Sequence, residues 1–368
     1  MDTMKKNMIK IFLGFIIMIC CVILTILNTF NHKGIILKEF NNYYDENNIV
    51  FFYENSAAPK IKALNDEYKV KEKTASEKDE LKKALSICKI TSDIIDYDDI
   101  HDSEKNNGYD ILKEKREAKS GKVSRRDYAV ITRDLLCAAG INARVGYFRS
   151  ADSQFKERTV YYVVEYWSRK YSKWIVLDCL DIGYFMNGDS KLSALEVLNG
   201  GIKEISYLGN TGQKDYKSKL RRYLDSYTIG IDNTIAQNKS NSYVCYVKND
   251  KALEIKWCKS YAPPTIFTKS SLLFERSPYD DTVTKDTKAY LILCLSEDKD
   301  KEGTKTVLTI AGFQNGSIMN SYYIDVNNKG YKQINKYEKI NIEKGVTSIK
   351  LSIDGKTEIS SVKIDRQK

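Results

Sequence analysis

The chain has 368 residues, 42% of them hydrophobic, which is enough for a sizeable core and for two domains. Its 59 basic residues outnumber its 49 acidic ones and give a formal net charge of +10, but the charges are interspersed. No phosphate loop, zinc-type Cys/His cluster or recognition-helix pattern accompanies them, so nucleic acid is not an expected partner and no metal or other cofactor is expected.

Residues 1–33 read as a membrane-targeting element. Lys5, Lys6 and Lys10 precede an apolar run from Ile11 to Leu27, with Asn28 and His32 at its exit. The run exceeds the apolar part of a cleaved signal peptide and no small-x-small cleavage site follows, so an uncleaved signal anchor, a transmembrane helix, is expected. Cys20 and Cys21 lie mid-span without the small residue that a lipoprotein signal needs. The lysines before the span, against only Lys33 and Lys38 soon after it, put the N-terminus in the cytoplasm and the rest of the chain outside the cell membrane.

Residues 34–235 carry a mixed α+β pattern. An extended segment is broken at Pro59 and followed by a short helix, and SEKDELKKALSICKITSDII then places Leu81, Leu85, Cys88 and Ile95 on one helical face. Ser124 is a plausible N-cap for a helix in which Tyr128, Ile131, Leu135 and Ala138 recur before Gly140 ends it. Val160 to Trp167 and Trp174 to Asp178 read as an antiparallel hairpin around the turn SRKYSK. LSALEVLNGG is a short helix, and DYKSKLRRYLDSY reads as a helix with Tyr216, Leu220, Tyr223, Leu224 and Tyr227 on one packed side.

The polar interval 236–242 suits a linker. From 243 to 368, short β-branched runs such as SYVCYVK, KAYLILCLS and VTSIKLSID are separated by turn-forming residues. They predict an antiparallel β-sandwich of about seven strands. Trp257, Tyr261, Tyr322 and Tyr323 are candidate sugar-stacking residues, though packing is the better expectation for most aromatics in such strands. Cys245 and Cys258 either face each other across a hairpin or stay separate buried thiols.

The stretch from Ser124 to Asp178 resembles the transglutaminase-like (papain-type) superfamily, in its bacterial secreted or membrane-anchored branch. Ser124, Arg126, Asp127, Tyr128 and Ala129 fit the start of that family's central helix. Gly140, Ile141, Ala143 and Arg144 fit its GIxAR turn, and Glu165, Trp167, Trp174, Leu177 and Asp178 fit its hairpin. The resemblance implies a papain-like fold and acyl-transfer or peptidase chemistry by a Cys-His-Asp triad. Here the nucleophile position holds Arg125 and the histidine position holds Tyr161, so only Asp178 survives. Arginine supplies no nucleophile, and tyrosine, with an ordinary pKa of about 10, is a poor base near neutral pH.

Replacement nucleophiles are scarce. Ser124 is better explained as a cap, and Cys137 lies about 18 Å along the helix at roughly 1.5 Å per residue. Cys179 should face away from Asp178, and Cys88 belongs to an apolar helix face. The two histidines, His32 and His101, lie beside the apolar span and in a polar loop. The expectation is a membrane-anchored, catalytically inactive member that binds or scaffolds at the cell surface or wall. Ser124, Arg125, Tyr161, Glu165, Trp167 and Asp178 are its candidate binding residues, and a wall polymer, a peptide or a protein is its ligand. The alternatives are an active acyl-transferase or peptidase with a relocated nucleophile, or a binding β-sandwich for which the first domain is a spacer.

Overall fold

The structure, a computed structural model, describes residues 35–150, 160–248, 254–255, 264–282, 284–300 and 303–366. The anchor read into residues 1–33 lies outside these, as do Trp257, Cys258 and Tyr261. Among the described residues no helix is long and apolar enough to cross a membrane.

Strand β1 is Ile35–Asn41. Helix α1, Pro59–Tyr68, begins with proline, whose missing N–H is harmless in a first turn, and stops where Lys69 turns left-handed. Helix α2, Glu80–Ile94, is capped by the Asp79 side chain, which accepts from the Lys82 amide. Helix α3, Gly108–Glu117, is capped in the same way by Asn107. The whole helical layer is built around α4, Arg125–Ala138, in which every residue from Asp127 to Ala138 is buried. Gly108 permits close packing here, since a Cβ on it would lie 2.9 Å from the Ile131 Cα.

The strands that follow are β2 Ala143–Arg149, β3 Val160–Ser168, β4 Lys173–Asp178 and β5 Gly183–Asn187, then helix α5 Ala194–Gly200. Next come β6 Ser206–Leu208, helix α6 Gln213–Leu220, β7 Ser226–Gly230, β8 Tyr243–Val247, β9 Thr265–Thr268, β10 Tyr290–Asp300 and β11 Gly303–Gln314. These strands form one sheet in the order β6-β5-β4-β3-β2-β7-β8-β9-β10-β11, antiparallel throughout except for β8 beside β9. The interval 236–242 contains no strand, yet β7 and β8 on either side of it pair directly from Ser226↔Val247 to Gly230↔Tyr243. One sheet therefore runs through both halves of the chain.

The last strands are β12 Tyr322–Val326, β13 Lys332–Ile334, β14 Tyr337–Asn341, β15 Gly345–Ser352 and β16 Ser360–Arg366. A second antiparallel sheet runs β1-β16-β15-β12-β13, so the first described strand of the chain pairs with its last. Leu291, Leu308 and Ile310 of the large sheet pack with Ile324, Ile349, Leu351 and Ile364 of the small one, but neither sheet is confined to 243–368, since the large one continues into the strands before 236 and the small one includes β1. Tyr322 is 1% exposed within this core, so it is not available for stacking on a sugar.

One element differs from its sequence pattern. The helix assigned to 215–227 ends at Leu220, a short 3-10 turn follows, and Tyr227 lies in β7. Its helical spacing to Tyr216 is incidental. Tyr227 instead crosses over Gly146 of β2, where a side chain would overlap its hydroxyl, and that hydroxyl donates to Glu165 at 2.9 Å.

Candidate functional site

The start of α4 and the end of β4 meet beside the start of β3. Ser124 caps α4, its Oγ accepting from the Asp127 amide at 3.2 Å, so its lone pairs serve the helix and it does not line the neighbouring cleft. Arg125 is the first helical residue. Its cation stands at the positive end of the helix dipole, an unfavourable place that a facing carboxylate corrects.

That carboxylate is Asp178, which has no exposed surface. Arg125 Nη1 lies 3.3 Å from each of its oxygens. The Tyr161 hydroxyl donates to Oδ2 at 2.5 Å, the Tyr216 hydroxyl donates to the same atom at 2.8 Å, and the Leu180 amide donates to Oδ1 at 3.1 Å. Burial alone would raise the Asp178 pKa, but the Arg125 charge and these donors hold it below the usual carboxylate value. Burial and the Asp178 charge push both tyrosine hydroxyls well up, so neither is a base. The residues at the nucleophile, histidine and aspartate positions thus converge, held together as donors and acceptor.

Aromatic rings fix the arginine from two sides. Its guanidinium carbon is 4.0 Å from the centre of the Tyr161 ring and 5.7 Å from that of Tyr97. Tyr216 is held in turn by Tyr207, the rings stacked at 3.5 Å and 7°. Arg125 Nε and Nη2 make no hydrogen bond among the described residues, and the arginine side chain keeps 16% of its surface exposed. It opens on a cleft of about 450 Å3 whose lining includes Tyr97, Tyr161, Asp178, Asp181, Tyr216 and Lys219.

Two residues expected at this site lie elsewhere. Glu165 is paired with Arg144 opposite it across β2 and β3, accepts from Tyr227 and from the Ala194 amide, and lies four residues farther along β3 than Tyr161, on the same face. Trp167 packs edge-on against Trp174, ring centres 5.5 Å apart. Both belong to the hairpin's structural support. Tyr97, Tyr216 and Lys219 are the cleft residues that the pattern did not single out. Tyr216 was legible only as part of a packed helix face, and it is that as well as a donor to Asp178.

No thiol reaches the cleft among the described residues. Cys88, Cys137 and Cys179 are buried, and burial pushes Cys137 and Cys179 up to about 12 and Cys88 well above an ordinary thiol. His101 lies in the exposed loop before α3 and does not line the cleft.

A family profile described as Transglutaminase-like superfamily matches residues 67–179, the segment from α1 to the end of β4. Those residues form a transglutaminase-like domain. No curated protein matches the chain significantly. Among solved structures, a candidate cysteine protease from Cytophaga hutchinsonii matches with 15% identity over 44% of this chain and 50% of that one, with a TM-score of 0.27. The chain spans about half the length of that protein, and a likeness of this size carries no argument about chemistry.

Proposed function

We propose that this protein is a membrane-anchored extracellular binding or scaffolding module, in which the cleft of the transglutaminase-like domain holds a carboxylate-bearing ligand without turning it over. The observation that carries this reading is the state of Arg125. One of its nitrogens neutralises Asp178, while Nε and Nη2 have no hydrogen-bond partner among the described residues and stand beside an open cleft. A guanidinium edge with two free N–H groups suits a carboxylate, which it can engage through paired hydrogen bonds. The anchor read into residues 1–33 and its lysine asymmetry support the membrane placement.

Catalysis by the superfamily's route requires a thiolate and a base beside Asp178, and arginine and a phenol donating to that aspartate supply neither. The test uses the full chain. Simple carboxylates should bind the wild type and fail to bind Arg125→Gln, and amine incorporation into an acyl-donor protein should equal that of a buffer blank. Turnover that disappears in Asp178→Asn would overturn the reading in favour of a relocated nucleophile.

A further inference from the structure

The cleft contains a second cation. Lys219, on α6, lines the same cleft as Arg125, and its ammonium group stands 5.8 Å from the centre of the Tyr161 ring that Arg125 covers. It makes no hydrogen bond or ion pair among the described residues, although Asp215 lies one turn before it on the same helix. Two cations converge here on one buried carboxylate, Asp178. Asp178 compensates Arg125, and the Lys219 ammonium is left facing the cleft with Asp178 and Asp181 as the carboxylates that act on it.

The rim has the opposite sign. Asp96, after α2, and Asp215, on α6, are both exposed, line the cleft and form no ion pair among the described residues. Asp181 also lines it, but its carboxylate already accepts from the Tyr207 hydroxyl at 2.5 Å and from the Thr211 amide at 2.9 Å.

We infer that Arg125 and Lys219 jointly hold the single carboxylate of a small zwitterionic ligand, whose ammonium group faces Asp96 and Asp215 at the rim. This rests on the reading of the cleft as a carboxylate site and adds the class of molecule that fits it. A dianion would set its second charge against the rim aspartates, and a polyanionic polymer would repeat that conflict at every unit. The volume of about 450 Å3 suits a small molecule or a chain end.

A protonation linkage follows from the same geometry. Burial and the Arg125 charge lower the Lys219 pKa in the empty cleft, and a bound carboxylate favours the charged amine. Binding therefore takes up a proton. Affinity is complete below the pKa of the empty cleft and falls as pH rises from there to the higher value in the complex. The other groups facing the amine are Arg125, Asp178, Asp181, Asp215 and the hydroxyls of Tyr161 and Tyr216. Those two hydroxyls are raised well above their ordinary value and stay protonated across this window.

The experiment titrates 6-aminohexanoate, hexanoate and adipate into the full chain by calorimetry across neutral to alkaline pH. The zwitterion should bind roughly tenfold more tightly than either acid, about what one added charge-assisted contact supplies. Lys219→Gln should remove most of that affinity at neutral pH. The alkaline fall is read with hexanoate, whose charge does not change there, and should vanish in Lys219→Gln and in Lys219→Arg. The double variant Asp96→Asn, Asp215→Asn should bring 6-aminohexanoate down to hexanoate at neutral pH. Hexanoate or adipate binding as well as the zwitterion would overturn this inference while leaving the carboxylate site standing. An unchanged Lys219→Gln would overturn the second cation. Failure of all three compounds to bind the wild type would sink the carboxylate reading itself.

Discussion

Two arginine–carboxylate pairs flank the same hairpin, and they have opposite surroundings. Arg144 and Glu165 are each 1% exposed; Arg144 donates to Glu165 and to the Phe274 carbonyl and lies over Trp174 at 4.1 Å. Glu165 in turn receives Tyr227 from β7 and the first amide of α5. This pair ties β2, β3, β7 and α5 to the segment around Phe274. Arg125 and Asp178 use the same chemistry, but four further donors hold the aspartate and the arginine is partly exposed, whereas the Arg144 Nη1 that makes no hydrogen bond among the described residues is buried. A closed pair fixes strands; an open one can also meet a ligand.

The difference is easiest to break at the closed pair. Glu165→Ala leaves a buried guanidinium uncompensated and removes acceptors from Tyr227 and Ala194, so it should cost about 3–5 kcal/mol in denaturant unfolding. An apolar double replacement, Arg144→Met with Glu165→Leu, should recover much of that loss. If the single variant is neutral, the closed pair does not hold the sheet together.

At the open pair the loss should be smaller. Asp178→Asn keeps the shape but removes the charge that three side chains address, and roughly 1–3 kcal/mol is expected. The pH dependence has a definite sign. Because the folded Asp178 pKa is depressed, its contribution is present above the unfolded value of about 3.9 and is lost as pH falls through the lower folded value. Wild type should therefore lose melting temperature more steeply in acid than Asp178→Asn. Asp134, whose pKa burial raises, acts in the opposite direction but equally in both proteins and cancels in the comparison.

Replacing the two divergent side chains sharpens the comparison from the chemical side. Arg125→Cys with Tyr161→His puts a thiol at the first position of α4 and an imidazole beside Asp178. The thiol pKa should fall by about one to two units, each worth 1.36 kcal/mol, read from the pH dependence of alkylation by iodoacetamide. A thiol that titrates as in a free peptide would mean that Asp178 and the helix dipole no longer form a catalytic frame.

How much of this was legible in the sequence depends on the range of the interaction. The cap at Ser124, the core face Tyr128, Ile131 and Leu135, and the hairpin up to Asp178 are local patterns, and each is present. The convergence of Arg125, Tyr161 and Asp178 was readable only because the resemblance supplied their spatial relation. Tyr216 and Lys219 reach the cleft from α6, far along the chain, and no period in the sequence announces that. Tyr227 shows the reverse failure: its spacing matched a helix, while its place was decided by the missing side chain at Gly146. Glu165 and Trp167 were drawn toward the cleft by their nearness in sequence to Tyr161 and share its strand face, but at about 3.3 Å per residue they lie roughly 13 Å and 20 Å farther along β3.

The smallest expected effect concerns Ser124, the one hydroxyl beside the old nucleophile position. Its Oγ accepts from the Asp127 amide, so Ser124→Ala removes a cap and should cost about 1 kcal/mol of stability. As a nucleophile the same serine would need a base to take its proton, and the Tyr161 hydroxyl is instead donating to Asp178. The two roles separate cleanly. A cap predicts a lowered melting temperature with carboxylate binding unchanged, and Ser124→Gly nearly restoring stability, because glycine tolerates the cap position. Loss of a hydrolytic or acyl-transfer signal in Ser124→Ala, at unchanged melting temperature, would move the serine from the helix to the chemistry and make the open pair part of an active site.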